Sequence, residues 1–283
     1  MAGSGGSTEA NRAERYRWND DRWTASWPDR EPLTIAATPA LFEAAALRPG
    51  ERVVDVGCGG GRSAIAAARI VGESGSVVGV DLSELLLDLA RRRAAEEGVT
   101  NLAFAVADAQ TDRLVGAPFD VALSQFGVMF FDEPATAFAN LRAHLVPRGR
   151  LVFVCWQGLD RNPWHTGTVL REFAPPPPAP GPGKSQPGPF SLGDPDRTTA
   201  LLEGAGFRQV GHRPHQLTLE APASAVYGPA QLALLGVPPE STDLAMAAVD
   251  EHLARFRIGP DRYAFPLAFQ VVTAANPDRV PGW

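Results

Sequence analysis

Residues 52–62 read RVVDVGCGGGR, and this stretch decides the fold. Arg52–Val56 is a near-continuous apolar run that stops at Gly57, the pattern of a strand buried on both faces. The turn Asp55-Val-Gly57-Cys-Gly59-Gly-Gly61 follows, and Arg62–Val71 (RSAIAAARIV) reads as a helix. Glycine adopts positive φ and carries no Cβ, so such a turn lets the main chain approach a ligand. Two readings of the turn fail. A dinucleotide fingerprint counted from Gly57 and Gly59 needs a third glycine where Arg62 stands, and a phosphate-binding P-loop needs a lysine that is absent. What remains is D-x-G-x-G-x-G.

Working outward, short β-branched runs alternate with Ala/Leu/Arg-rich stretches. Ser76–Val80, Leu102–Val106, Phe119–Leu123 and Arg150–Cys155 read as further strands. A helix capped by Ser83 and closed by Gly98, and another at Pro134–Leu145 before a Pro147–Gly149 turn, lie between them. Strands spaced by helices mean right-handed βαβ units and a parallel sheet, with ligands beyond the carboxyl ends of the strands. Later, a short helix is expected near Trp164–Phe173, then a helix from Asp194 to Ala205, a strand from Phe207, a helix at Ser241–Phe256 and a last strand at Tyr263–Ala274. The expected architecture is α/β: a Rossmann-like, doubly wound, mostly parallel seven-stranded sheet with an antiparallel last strand, an N-terminal helical lid and inserted segments. The expected division is a flexible leader at 1–10, a lid segment at 11–32, the core at 33–159, a Pro-rich insertion at 160–193 and the rest of the core at 194–283.

The glycine loop resembles motif I of class I S-adenosylmethionine (SAM)-dependent methyltransferases, and the following blocks resemble the rest of that signature in order. VVGVDLS ends in Asp81 after the second strand, and VADAQ places Asp108 and Ala109 after the third. FDVALSQFGVMFF carries the loop after the fourth strand, and LRAHLVPRGRLVFVCW leads into the fifth. GPFSLGDPDR followed by LLEGAGF is similar to the bacterial small-molecule branch near the ubiquinone/menaquinone methyltransferases. The resemblance implies SAM as cofactor, with Asp81 on the ribose hydroxyls and Leu82 on the adenine face. It implies Asp108 and the Ala109 N–H on the adenine edge, and Gly57, Gly59 and Gly61 beneath the methionine part. Asp55 would orient the ammonium group, with the Ser124 carbonyl nearby. Taken singly, Asp81 and Asp108 read equally well as turn or helix-cap residues, Asp55 as the polar end of a strand, and Ser124 as structural.

The implied activity is methyl transfer to a small organic acceptor, by O- or C-methylation of an aromatic, quinone-like or polyketide-like molecule. The alternative is a SAM-fold enzyme repurposed for a non-methylating reaction such as a pericyclic cyclisation. The loop after the fourth strand is SQFG, which departs from the [DN]-P-P-[YF] signature of nucleic-acid and protein amide N-methylation. Net charge is −6 with no basic stripe, which weighs against a nucleic-acid partner. No apolar run approaches the roughly 18 residues of a membrane span, and residues 1–10 lack a signal-peptide pattern, so a cytoplasmic monomer or homodimer is expected. Cys58 and Cys155 have neither disulfide nor metal-ligand spacing and are expected to be buried thiols, with no metal site.

Methyl transfer needs attack geometry more than a covalent intermediate or a metal, although a phenol or enol acceptor gains from a general base. His165, in NPWHTG just past the fifth strand, is the candidate base. His144 is expected to face solvent, and His212, His215 and His252 lie farther along the chain. Phe126, Phe130, Phe131, Trp156 and Trp164 read as an apolar acceptor pocket or as core. Tyr16, Trp18, Trp23 and Trp27 sit in an otherwise polar segment. Either Arg12–Pro28 folds over cofactor and acceptor as a lid, or it packs on the domain.

Overall fold

In the computed structural model, which describes residues 11–175 and 187–277, the run at Arg52–Val56 is a strand, β1, paired in parallel on both sides. Val53, Val54 and Val56 are all buried, which is why the strand reads as continuously apolar. The expected leader and most of the Pro-rich tract, with Lys184, lie outside the described residues. Helices α1 (Arg12–Trp18), α2 (Asp21–Ile35) and α3 (Thr38–Ala45) precede β1. After it come α4 (Arg62–Val71), β2 (Ser76–Asp81), α5 (Glu84–Glu96), β3 (Leu102–Val106), β4 (Phe119–Gln125), α6 (Pro134–Ala143) and β5 (Leu145–Trp156). Then follow α7 (Gly167–Leu170), α8 (Pro195–Gly204), β6 (Arg208–Ala221), α9 (Pro229–Leu234), α10 (Thr242–Leu253), β7 (Arg257–Gly259) and β8 (Arg262–Ala275).

The spatial order is β3-β2-β1-β4-β5-β8-β6, with β7 beside β8. Strands β1 to β5 are mutually parallel, and β8 runs antiparallel to both β5 and β6. The expected mostly parallel, doubly wound sheet with an antiparallel last strand is therefore present; the three-residue β7 is an eighth strand that the sequence did not announce. Strand order reverses between β1 and β4, so the crevice beyond their carboxyl ends is where such a sheet takes its ligands. The core holds Phe119, Phe138, Phe153, Phe207, Phe265 and Phe269 fully buried. Phe138 of α6 stacks on Phe153 of β5 with centroids 5.7 Å apart.

Three differences from expectation shape the site. The helix expected near Trp164–Phe173 shrinks to the four residues of α7; its Thr-Gly-Thr start is a poor helix former, and Asn162 instead holds Trp164 Nε1 at 3.2 Å. Helix α2 runs to Ile35 although it contains Pro28 and Pro32, so it passes the expected boundary at residue 32. Strands β6 and β8 both outrun β5. Trp156, the last residue of β5, pairs with Phe269, while residues 263–268 of β8 continue against β6. That extension stands roughly 20 Å beyond the parallel edge. Helix α9 packs against α2, and α10 packs against α7. Among the described residues, no helix is long and apolar enough to cross a membrane, and no group of His, Cys, Asp or Glu could hold a metal. Cys58 and Cys155 are buried free thiols.

Candidate active site

The loop leaving β1 is shaped by close approaches. Gly57 has φ +67°, and a Cβ on it would lie 2.9 Å from Gly127 Cα in the loop after β4. Gly61 has φ +82°, and its Cβ would lie 2.6 Å from the Cβ of Ala90 on α5. Gly57 N–H and Cys58 N–H both donate to Val80 O, locking the loop to the end of β2. Ser124 Oγ completes the weld: it donates to Val56 O at 2.7 Å and accepts from Gly127 N and Val128 N. Gly127, which sequence reasoning passed over, is thus as constrained as Gly57; its only signal was its place in SQFG.

Three carboxylates come from three adjacent strands. Asp55 on β1 is fully buried; Oδ2 accepts from Ser63 Oγ at 2.6 Å, and among the described residues Oδ1 has no partner. Burial pushes its carboxyl up to about 7; the Ser63 hydrogen bond opposes this and the nearby Asp81 charge adds to it. Asp81 ends β2, where Oδ2 accepts from Gly59 N at 2.8 Å and Oδ1 from Ser83 N at 2.9 Å. Burial raises it above the ordinary aspartate value, against those backbone bonds. Asp108, just past β3, accepts from Gln110 N at 3.0 Å, and the neighbouring Ala109 is buried with its carbonyl bonded to Asn140 Nδ2. Leu82 is half-buried, and its carbonyl accepts from Asn19 Nδ2 at 3.0 Å. Asp55, Gly57, Gly59, Gly61, Asp81, Leu82, Asp108, Ala109 and Ser124 therefore gather at one edge of the sheet. His165 stands apart, past the end of β5.

Helices α1 and α2 lie over this edge. Asn11 Nδ2 donates to Asp108 Oδ1 at 2.8 Å, and Arg15 approaches Oδ2 at 3.4 Å. Asn19 Oδ1 accepts from Glu84 N at 3.1 Å. On α2, a Cβ placed on Gly59 would touch the Trp27 ring at 2.9 Å. Trp27 Nε1 donates to Glu31 Oε1 at 2.8 Å, Arg62 Nε reaches Glu31 Oε2 at 3.0 Å, and Arg93 grips both Glu31 oxygens while Nη1 also bonds Gly60 O. Burial alone would raise the Glu31 carboxyl, but the donors from Arg93, Arg62 and Trp27 outweigh it and hold it low. Arg62, whose presence excluded a dinucleotide loop, thus serves to fasten α2.

Residues 53–149 match the family model described as a methyltransferase domain, the same span that carries the loop, the three acids and the weld between β1 and β4. The chain carries a class I SAM-dependent methyltransferase domain. It is 36% identical over 104 residues to aklanonic acid methyltransferase DauC of Streptomyces sp. strain C5, covering 37% of this chain and 47% of that protein. It is 27% identical over 185 residues to nocamycin O-methyltransferase of Saccharothrix syringae, covering 62% of this chain and 66% of that one. The chain thus spans about half the length of the first relative and two thirds of the second. Among solved structures, the YcgJ protein of Bacillus subtilis superposes with TM-score 0.60 at 18% identity, over 86% of this chain and 99% of that chain. The [4+2]-cyclase SpnF superposes with TM-score 0.52 at 21% identity, over 86% and 80%. At such identities these two show a shared fold.

At the ends of β4 and β5 of this methyltransferase domain lies a cluster of buried rings, Phe126, Trp156, Trp164 and Phe269. Phe126 takes φ +61°, rare for a bulky residue, and stacks on Trp156 with centroids 4.3 Å apart. Trp164 meets Trp156 edge-on at 5.3 Å, and His215 stacks on Phe269 at 5.2 Å. His165 meets Phe190 at 4.8 Å; burial, then the charges of Arg30, Arg171 and His252, hold it down to about 4. Its Nδ1 accepts from Gly167 N at 3.2 Å, so its one proton sits on Nε2. His144, expected to face solvent, instead links two elements: Nε2 accepts from Leu114 N at 3.0 Å and Nδ1 donates to Asn140 O.

Proposed function

We propose that this chain transfers a methyl group from SAM to a small organic acceptor, by O- or C-methylation of an aromatic, quinone-like or polyketide-like molecule. It would act in the cytoplasm as a monomer or homodimer, with neither nucleic acid nor membrane as partner. The observation that carries the reading is the placement of Asp55, Asp81 and Asp108 at the carboxyl ends of adjacent strands, at the sheet edge that holds a loop whose Gly57 and Gly61 leave no room for a Cβ. The unpartnered Oδ1 of Asp55 suits a cationic amino group, so these residues fit the methionine end of SAM. Asp81 keeps free lone pairs for the ribose hydroxyls, with Leu82 beside the adenine, and Asp108 with the Ala109 N–H takes the adenine edge. When bound, SAM supplies a sulfonium-activated methyl. The protein's part is to hold the acceptor in line with it and to exclude water.

In this reading α1 and α2 form the lid, and Asn11 rests on Asp108 much as an adenine amine would. His165 presents an N–H, so its part is to donate a hydrogen bond to the acceptor rather than to act as the base that its position suggested. Two relatives, by name an aklanonic acid methyltransferase and a nocamycin O-methyltransferase, support a small-molecule acceptor. The deciding experiment is calorimetric titration with S-adenosylhomocysteine. The wild type binds it, and Asp81→Ala loses the affinity by about 100-fold, since removing an acceptor of paired hydroxyls also leaves two buried N–H groups unsatisfied. No association with the wild-type protein would end the proposal. Release of S-adenosylhomocysteine during turnover separates methyl transfer from cyclisation.

A further inference from the structure

The lid holds a cation that the cofactor reading leaves unused. Arg30 and Glu31 are neighbours on α2, but their side chains part: Glu31 turns to the glycine loop, while Arg30 Nη1 donates to Gln231 Oε1 of α9 at 3.2 Å. The guanidinium lies 4.4 Å over the Trp23 ring. Among the described residues no carboxylate accepts from it, and burial pushes it down to about 10. A guanidinium has five N–H donors, and here one neutral amide oxygen takes a single bond. The guanidinium is half-buried and faces one neutral amide, so its charge and its remaining donors are open to an anion.

Its surroundings fit that purpose. The field of Arg30 reaches His165, which is neutral, and whose proton sits on Nε2 because Nδ1 accepts from Gly167. Among the described residues, His252 Nε2 is buried without a partner. Trp23 packs edge-on against Trp18, and Trp18 against Phe130, with centroids 5.1 Å apart in both pairs. The cation thus lies against a run of rings, and its field is felt at His165.

We propose that the acceptor is an aromatic molecule bearing an anionic oxygen, which Arg30 receives with the Nε2–H of His165 as second donor. This rests on the methyltransferase reading, and it adds that charge on the acceptor is recognised through the lid. The test loads the full chain with S-adenosylhomocysteine and titrates 2-naphthoate and its neutral counterpart 2-naphthamide, for wild type, Arg30→Gln and Arg30→Lys. The wild type prefers the acid by about tenfold or more, the worth of a hydrogen-bonded charge. Arg30→Gln removes that preference while affinity for S-adenosylhomocysteine stays within about twofold. Arg30→Lys retains part of it, as a point charge without the fork. If Arg30 merely ties α2 to α9, Arg30→Gln lowers thermal stability and cofactor affinity and leaves the acid-to-amide ratio unchanged, which overturns the proposal. Equal or undetectable binding of the two probes to wild type also overturns it. Loss of S-adenosylhomocysteine binding by the wild type is a separate failure, that of the underlying reading.

Discussion

The floor of the crevice and its roof are built by different physics. On the floor, main chain touches main chain: a Cβ at Gly57 would meet Gly127 Cα, one at Gly127 would meet Val56 O at 2.7 Å, and Ser124 Oγ holds the two turns in register. Little there can change without steric collision. On the roof, α1 and α2 hold on through side chains far away in sequence. Glu31 reaches Arg93, Asn11 reaches Asp108 and Arg30 reaches Gln231, across 62, 97 and 201 positions. Steric fit makes the floor rigid and legible as a motif. Charge and ring contacts hold the roof without such collisions, which suits the lid proposed above.

The sharpest way to break this contrast is Gly57→Ala. The new Cβ meets main chain at 2.9 Å, and φ +67° is strained for alanine. We expect loss of detectable S-adenosylhomocysteine binding and a stability loss of about 1–3 kcal/mol, read by calorimetry and thermal melting. Affinity within a few-fold of wild type would show that the floor is softer than its packing indicates.

Glu31→Gln tests the roof and has a smaller effect on the cofactor. It leaves Arg93, a largely buried partner, without its counter-charge, which costs up to roughly 3–5 kcal/mol where such a pair is truly buried. Because only the contact of α2 with the loop and α5 is lost, that cost appears as undocking of residues 11–35. Limited proteolysis accelerates there, and the KM for the acceptor rises more than the affinity for S-adenosylhomocysteine falls. Equal losses on both would mean that roof and floor are one unit.

The same contrast explains what the sequence disclosed. Arg52–Val56 and the glycine turn are local patterns that survive being read in isolation, whereas Asp81 and Asp108, ambiguous singly, take their reading from following strand runs in register with that turn. The helix at Arg62–Val71 and the caps at Ser83 and Asp194 were equally local, and the structure bears them out. Arg30, Glu31 and Arg93 carry no such mark. An arginine on a polar helix reads as solvated until the chain brings Gln231 and Trp23 around it. Helix α2 was obscured by Pro28 and Pro32, and the outreach of β6 and β8 depends on pairing between strands separated by the whole segment from Pro222 to Asp261. His144 misled for the same reason, since its partner Leu114 lies 30 residues away.

The smallest expected effect lies under the floor, at Asp55. Its folded value of about 7 exceeds the ordinary aspartate value, so the free protein binds a proton there that the unfolded chain has released. That contribution to stability is complete in acid and is lost as the pH rises through about 7. Ligand binding runs the other way, because an amino cation prefers the carboxylate. Affinity for S-adenosylhomocysteine should therefore climb as the pH rises toward about 7, then level off, while the melting temperature of the free protein declines over the same window. Asp55→Asn flattens both profiles. Ser63→Ala is the finer probe. Its hydroxyl donates to Oδ2 and so favours the ionised form; without it the proton is held more tightly, and the midpoint of the affinity profile moves to higher pH with the plateau little changed. A midpoint that stays put in Ser63→Ala, with the profile still flat in Asp55→Asn, would leave Asp55 as the titrating group and remove Ser63 from the account of its charge.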